Sequence, residues 1–455
     1  MGGRPDRPRP RSRTDRPLGR WMRSAGEVCP PSRVSPNCYD NAMTGRSPLS
    51  LYLHIPFCTL KCSYCDFNSY AGIESLMRPF VDALCDEMRL WAPVVADRRV
   101  ETAFFGGGTP SLLPVKEVER IVGAMRGAFE LAPDAEVSFE ANPGTVERDY
   151  LRNLLAAGVN RISFGVQSFH DDELAALDRI HSGEEAKEAY HWAREAGFER
   201  INLDFIYGLS EQPMERWQAT LEQAIALGPE HLSLYALTIE EGTKLAHDIE
   251  RGRVPGPDGD VQAAMYEWSC ERLAHAGYHQ YEISNWCRPG EECRHNLVYW
   301  RNGEWLGLGP GAHSHLAGTR NKEQGTGKMG YRFADVHSPR RYIDLVRETV
   351  ECGVDGAAGG HAGPLLREMR QVAFVEEQTV EMEMADTAIL GLRLNEGVDV
   401  REFERRFGRS VEEAYGGVLA ETESFGLVER KNGHVRLTDR GRLLGNEVFV
   451  RLLPP

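Results

Sequence analysis

No apolar run in this 455-residue chain is long enough to cross a bilayer as a helix, which removes the helical membrane-spanning classes. Positive charge is also in short supply. The formal net charge is −15, a poor balance for a body that must grip nucleic acid, so no nucleic-acid partner is expected. Ten cysteines scattered over such a length do not make a disulfide framework. With no signal-peptide pattern either, the expected home is a reducing cytoplasm. A second Cys-x-x-Cys is missing as well, which excludes a structural zinc site built from two such pairs.

What the chain does have is a short cysteine-rich loop, His54-Ile-Pro-Phe-Cys58-Thr-Leu-Lys-Cys62-Ser-Tyr-Cys65-Asp-Phe67, directly after a strand-like Leu51–Ile55. Three thiolates this close can hold three irons of a 4Fe-4S cluster and leave the fourth open for chemistry. A closed electron-carrying cluster normally takes four cysteines. Phe67 stands where a further nearby cysteine would come.

The first 42 residues hold nine arginines against four acids, with repeated prolines and no periodicity. Residues 1–47 are therefore expected to be a disordered Arg/Pro-rich extension. The repeated prolines oppose the amphipathic helix of an organelle-targeting segment, and coding sequence upstream of a start at Met43 is the other reading. From Leu51 a repeating unit follows: a short apolar run, a polar or glycine-rich turn, and a helix-period stretch. Strands are expected at Leu51–Ile55, Thr102–Phe105, Glu136–Glu140, Arg161–Val166, Ile201–Ile206 and His231–Leu237. Six βα units in a row imply a parallel sheet with right-handed crossovers, curved into a partial (β/α)6 TIM-like barrel. Residues 48–315 are assigned to it, with further strands at Tyr278–Ser284 and Tyr299–Leu306.

Gly106-Gly-Gly-Thr-Pro110, Glu140-Ala-Asn-Pro-Gly144, Gly165-Val-Gln-Ser168 and Asp204 all fall near the C-terminal ends of these strands, where barrel active sites form. Residues 316–379 read as a linker, exposed from about Ala317 to Arg332. Residues 380–455 carry three helical patterns and a hairpin around Asn432-Gly433, a winged-helix-like unit. Its eleven basic residues against fourteen acidic ones favour packing over DNA binding.

The cysteine spacing resembles the signature of the radical S-adenosylmethionine superfamily. GGGTP, FEANPGT, RISFGVQSF, NLDFIYGL, SLYALTIEEGT, YEISN and GLGPGAHS extend the resemblance, from about Leu51 to the C-terminus, to the oxygen-independent coproporphyrinogen oxidase-like proteins. That resemblance implies a 4Fe-4S cluster on Cys58, Cys62 and Cys65, with exchangeable S-adenosylmethionine on the open iron. Tyr64 would pack near the adenine, and Tyr52 would hold the methionine end of the cofactor. Gly107, Gly108 and Thr109 would take its amino and carboxylate groups. Glu140 offers acceptor oxygens to a cationic or hydroxyl-rich ligand. Gln167, Arg179 and Asp204 would fix the ribose and the remaining polar groups, and Ala236 would line the adenine pocket through its backbone. For Arg179 and Asp204 an ordinary ion pair is the plain alternative.

Two branches of the family compete. The oxidase converts coproporphyrinogen III propionates to vinyls and carries a further cysteine where this chain has Phe67. The heme-chaperone branch carries the motif found here as His295-Asn-Leu-Val-Tyr-Trp300. An imidazole can ligate heme iron, and Tyr299 and Trp300 offer flat apolar faces. His295 is therefore the expected heme ligand, unless the segment merely caps a turn and fills core, and His313 is its rival. The expected partners are heme and heme-accepting proteins, such as respiratory heme proteins at a membrane, with a homodimer left open.

Overall fold

The structure is a computed structural model that describes residues 46–317, 330–353 and 362–454. The Arg/Pro-rich extension and most of the polar stretch after Ala317 lie outside the described residues. The six expected strands are present, five of them longer than expected and the last one residue shorter: β1 (Ser47–Ile55), β2 (Arg98–Gly107), β3 (Leu131–Ala141), β4 (Arg161–Gln167), β5 (Arg200–Tyr207) and β6 (His231–Ala236). They pair in parallel in that order. Five helices cover their outer face: α1 (Met77–Trp91), α2 (Val115–Ala128), α3 (Arg148–Ala157), α4 (Gly183–Ala196) and α5 (Met214–Leu227).

Six further strands extend the sheet. They are β7 (His279–Glu282), β8 (Asn285–Cys287), β9 (Trp305–Leu308), β10 (His313–Ala317), β11 (Gly330–Asp335) and β12 (Val372–Gln378). The full order is β12-β11-β10-β9-β1-β2-β3-β4-β5-β6-β8-β7. β9 adds a seventh parallel strand beside β1, and the two end strands of the sheet, β12 and β7, are not paired to each other. The barrel is thus partial, as expected.

Alternation along the strands explains the shape. Leu51, Leu53 and Ile55 on β1 are buried beneath the helices, as are Phe105, Phe139, Phe164 and Phe205 on later strands. The intervening positions face a narrow lumen. Ser50, His54, Thr102, Glu136, Ser138, Arg161, Ser163, Asn202, His231 and Ser233 are all buried there despite being polar. A two-residue period in strands covered on both sides therefore separates an apolar outer layer from a polar interior.

Two expectations fail. Residues 299–306 do not form one strand. The segment Arg294–Trp300 is a helix, α6, which precedes β9. Its aromatic residues suggest a strand, but helical spacing brings His295 and Tyr299 onto one face, where their side chains bond. The expected linker 316–379 instead contains β11, β12 and the helix Pro339–Glu351, α7. That helix buries Tyr342, Ile343 and Val346 on one side, a period hidden by its many charges.

The C-terminal unit matches its reading. Helices α8 (Val380–Gly391), α9 (Val400–Phe407) and α10 (Val411–Ser424) pack around Phe403, Leu419 and Val435 in a core of their own. The hairpin Val428–Lys431 with His434–Leu437 turns at Asn432 and Gly433, both at positive φ. A last helix, Gly445–Leu452, lies beyond the three expected ones. Glu383 of α8 ties this unit to the barrel through His315, at 2.6 Å, and Asn302, at 2.9 Å. No helix among the described residues is long and apolar enough to cross a membrane.

Candidate functional site at the mouth and in the lumen of the barrel

The cysteine loop leaves the C-terminal end of β1 and turns back on itself, Cys65 N–H donating to the Cys62 carbonyl. All three cysteines are half-buried and free. Burial pushes the Cys65 thiol up, and the nearby Cys62 and Cys58 sulfurs push the same way, as expected for three sulfurs that share one small space. The loop rests on the glycine turn after β2. Gly108 N–H donates to the Ile55 carbonyl and Thr109 N–H to the Phe57 carbonyl, while the Thr109 hydroxyl lies 3.6 Å from Cys58 Sγ.

Glycine is required here by contact. A Cβ on Gly108 would lie 2.6 Å from the Phe57 carbonyl oxygen and 3.1 Å from Cys58 Sγ. Gly107 has φ +111°, and a Cβ there would meet the His54 ring at 2.6 Å.

Arg179 closes the other side. Its guanidinium donates to the Gly165 carbonyl at 2.6 Å and to Cys62 Sγ at 3.6 Å, and it lies against Tyr64. Its Nε is buried with no partner. Gln167, also at the end of β4, takes a left-handed φ of +68° beside a bulge, an uncommon conformation for a residue with a side chain. Ala236 ends β6 on the same rim.

Below the rim lies a lumen cavity of about 190 Å³, lined by Tyr52, Glu140, Asp204 and His295 among others. Tyr52 OH meets His54 Nδ1 at 3.1 Å, and Gly107 N–H donates to Glu140 at 3.3 Å. Burial and then the Asp204 carboxyl raise Glu140 to about 8. Asp204 is raised by burial too, although Ser163 and Asn202 donate to it.

The structure thus brings Cys58, Cys62, Cys65, Tyr64, Gly107, Gly108, Thr109, Gln167 and Arg179 to one mouth, with Tyr52, Glu140 and Asp204 just inside. His295 is not at the mouth but lines the same lumen cavity as Tyr52, Glu140 and Asp204 from its far side. It sits on the plug helix α6 at the opposite end, where Glu136 accepts its backbone N–H, and Glu136 precedes Glu140 by four strand residues, about 13 Å. Its ring is buried, with Nδ1 2.8 Å from the Thr102 hydroxyl and Nε2 2.9 Å from Tyr299 OH. It stacks on Phe104, and burial lowers it to about 3. In this conformation both ring nitrogens are taken. The His313 ring, by contrast, is exposed on β10.

Sequence reasoning missed the polar lumen. Asn202 bridges Ser163, Asp204, Ser233 and His231, and His54 holds the Asn68 carbonyl under the cysteine loop. The signal was available in the alternation of Ser50, Tyr52 and His54 with leucine and isoleucine.

The donor set fits an iron–sulfur cluster with a polar ligand beside it: three sulfurs, a turn that tolerates no Cβ, and an orphaned nitrogen on a guanidinium that reaches one of those sulfurs. Comparison with known proteins agrees. The radical SAM superfamily matches residues 52–224, and the HemN C-terminal domain matches residues 379–444. Heme chaperone HemW of Mycobacterium tuberculosis is 37% identical over 409 residues, 89% of this chain and 95% of the relative. HemW of Bacillus subtilis is 35% identical over 89% of this chain and 99% of its own. The solved coproporphyrinogen III oxidase HemN of Escherichia coli, a radical SAM enzyme, superposes with a TM-score of 0.72 at 25% identity, covering 90% of this chain and 91% of that one.

Proposed function

The chain belongs to the HemW heme-chaperone family of the radical SAM superfamily, and from that premise we propose that it binds heme and passes it to acceptor proteins in the cytoplasm or at a membrane surface. The observation that carries this reading is the near full-length match to proteins of that name. Cofactors that go with membership are a 4Fe-4S cluster, S-adenosylmethionine and heme. Phe67, where the oxidase branch has a cysteine, is 63% exposed and offers no ligand.

Each residue has a task in this reading. Cys58, Cys62 and Cys65 would hold three irons of the cluster, which would supply one-electron chemistry toward a bound sulfonium. Gly107, Gly108 and Thr109 keep the approach to the sulfurs clear of side chains. Arg179 Nε is a donor waiting for a polar ligand, and Glu140 and Asp204 present carboxyls below it. Tyr64 supplies a ring beside the cysteines, Gln167 and Ala236 supply polar backbone on the rim, and Tyr52 fixes His54.

Heme is placed on His295, in a state where Tyr299 has released Nε2 and α6 has moved outward. The movement is needed because a lumen of about 190 Å³ is smaller than the roughly 300–1,000 Å³ of pockets that hold drug-sized ligands. Heme titration of two variants tests the placement. His295→Ala is expected to lose the Soret band and keep the iron–sulfur absorbance, while His313→Ala keeps both. Loss in His313→Ala with full binding by His295→Ala overturns the placement.

A further inference from the structure

A third group of ligand-type side chains lies apart from both ends of the lumen, on the β7–β8 edge of the sheet. His279 and Cys287 are directly opposite each other in the antiparallel β7–β8 pair, so their side chains leave the same face. Glu292, in the loop that follows, folds back onto them. His279 Nε2 lies 2.7 Å from Glu292 Oε1 and 3.5 Å from Cys287 Sγ, and the three ligand atoms all fall within 4.8 Å of one another.

We propose that His279, Cys287 and Glu292 form a site for a divalent metal of the zinc type. The geometry is close to what such an ion needs. Zn–S and Zn–N bonds of about 2.3 and 2.05 Å at a tetrahedral angle put sulfur and nitrogen about 3.6 Å apart, against 3.5 Å here. The imidazole–carboxylate pair must open by about 0.7 Å from its hydrogen-bonded distance to reach the tetrahedral separation of about 3.4 Å.

Thiolate, imidazole and carboxylate together suit zinc better than the hard ions calcium or magnesium, which take oxygen. Thiolate and carboxylate also neutralise a divalent charge. Cys287 is fully buried, whereas the His279 and Glu292 side chains are 41% and 24% exposed, so the ion enters from the His279 side and keeps a solvent-facing fourth position. Its place in the chain gives the site a role. The loop it would clamp, Arg288 to Cys293, leads directly into α6, so an ion here fastens the plug helix to the β7–β8 hairpin. The proposal does not depend on the heme reading, because zinc binding is read without heme.

The experiment uses the full chain with its iron–sulfur cluster assembled, exposed to Zn²⁺ and desalted. Zinc K-edge X-ray absorption then counts the sulfur neighbours without interference from iron. The expected result is about one zinc per chain with a single sulfur at about 2.3 Å and nitrogen or oxygen at about 2.0–2.2 Å. Cys287→Ser should lose the sulfur shell. His279→Gln and Glu292→Gln, both on accessible side chains, should weaken retention at least tenfold while thermal unfolding confirms that they fold. Four results overturn the site: no zinc retained, a three-sulfur shell that places the ion in the cysteine loop, a sulfur shell that survives Cys287→Ser, or retention unchanged in both glutamine variants.

Discussion

The two ends of the barrel lumen are built from similar residue types and treat them in opposite ways. At the N-terminal end, the polar atoms of His295 itself are matched, although Arg161 Nη2 and Trp300 Nε1 nearby are buried without a partner. Thr102 and Tyr299 take its ring nitrogens, and Glu136 takes its backbone N–H. At the C-terminal end the bonding is left incomplete, with three free sulfurs, a buried guanidinium nitrogen lacking a partner, and a turn whose glycines hold space open. An unpaired buried donor costs about 1–3 kcal/mol, and one bonded through the same guanidinium to Cys62 is placed where a polar ligand beside the sulfurs would remove that cost. The open end has its unmatched groups in place as folded. The closed end must first give up bonds it already has.

The largest effect expected from that contrast is all-or-none. Replacing Cys58, Cys62 or Cys65 with alanine should abolish the iron–sulfur absorbance after anaerobic reconstitution. Changing Cys85, Cys270, Cys287, Cys293 or Cys352 should leave it intact. Cys85, Cys287 and Cys293 are buried on other elements, in α1, in β8 and just before α6, outside the cysteine loop. If any of these five proved necessary for assembly, the open end would no longer be defined by three sulfurs.

How much of this was legible in the sequence follows from range. The cysteine loop, the glycine triplet and the six strands are local patterns, so the mouth of the barrel could be read directly. The lumen could be read only in part. Glu140 and Asp204 stand out because they lie near strand ends, whereas Ser163, Asn202 and Ser233 become a network only once three strands are in register. The aromatic Tyr299-Trp300 pair suggests a strand because aromatic residues favour sheets. The bond from Tyr299 to His295 belongs to a helix, and its other anchor, Thr102, lies nearly 200 residues earlier. Likewise α7 reads as linker because its buried stripe of Tyr342, Ile343 and Val346 sits among arginines and acids.

An intermediate effect sharpens the contrast inside the lumen. Glu140, raised to about 8 by burial and by Asp204, holds its proton over a range in which the unfolded chain has lost it. Between about pH 4.5 and 8 the folded state therefore binds more protons than the unfolded one, so this group's contribution to stability falls as pH rises through that window and is level above it. A tenfold change in proton affinity corresponds to about 1.4 kcal/mol, which makes the loss across the window a few kcal/mol in order of magnitude. Thermal unfolding of the ligand-free protein from pH 5 to 8 should show a decline that is shallower in Glu140→Gln, the remainder coming from Glu87, Asp204, Glu282 and Asp335, which burial also raises. Parallel curves for the two proteins would mean that Glu140 is ionised, and that the open end carries a charge before any ligand arrives.

The smallest effect is the most discriminating, because it asks whether the closed end can open. Tyr299 reaches His295 through a single hydroxyl, and its ring is packed edge-on to both His295 and Trp305. Tyr299→Phe keeps that packing and removes only the bond to Nε2. If heme iron takes Nε2, the wild-type protein must break this bond before it can bind, at a net cost of about 0.5–1.5 kcal/mol. The variant is spared that cost and should bind heme about two- to tenfold more tightly, from the conversion of 1.4 kcal/mol per factor of ten. If heme iron is bound by His313, outside the lumen, the hydroxyl is irrelevant and the two titration curves should superimpose. Weaker binding by Tyr299→Phe would instead mean that the hydroxyl itself contacts heme, and the two ends of the barrel would then differ in ligand and not in readiness.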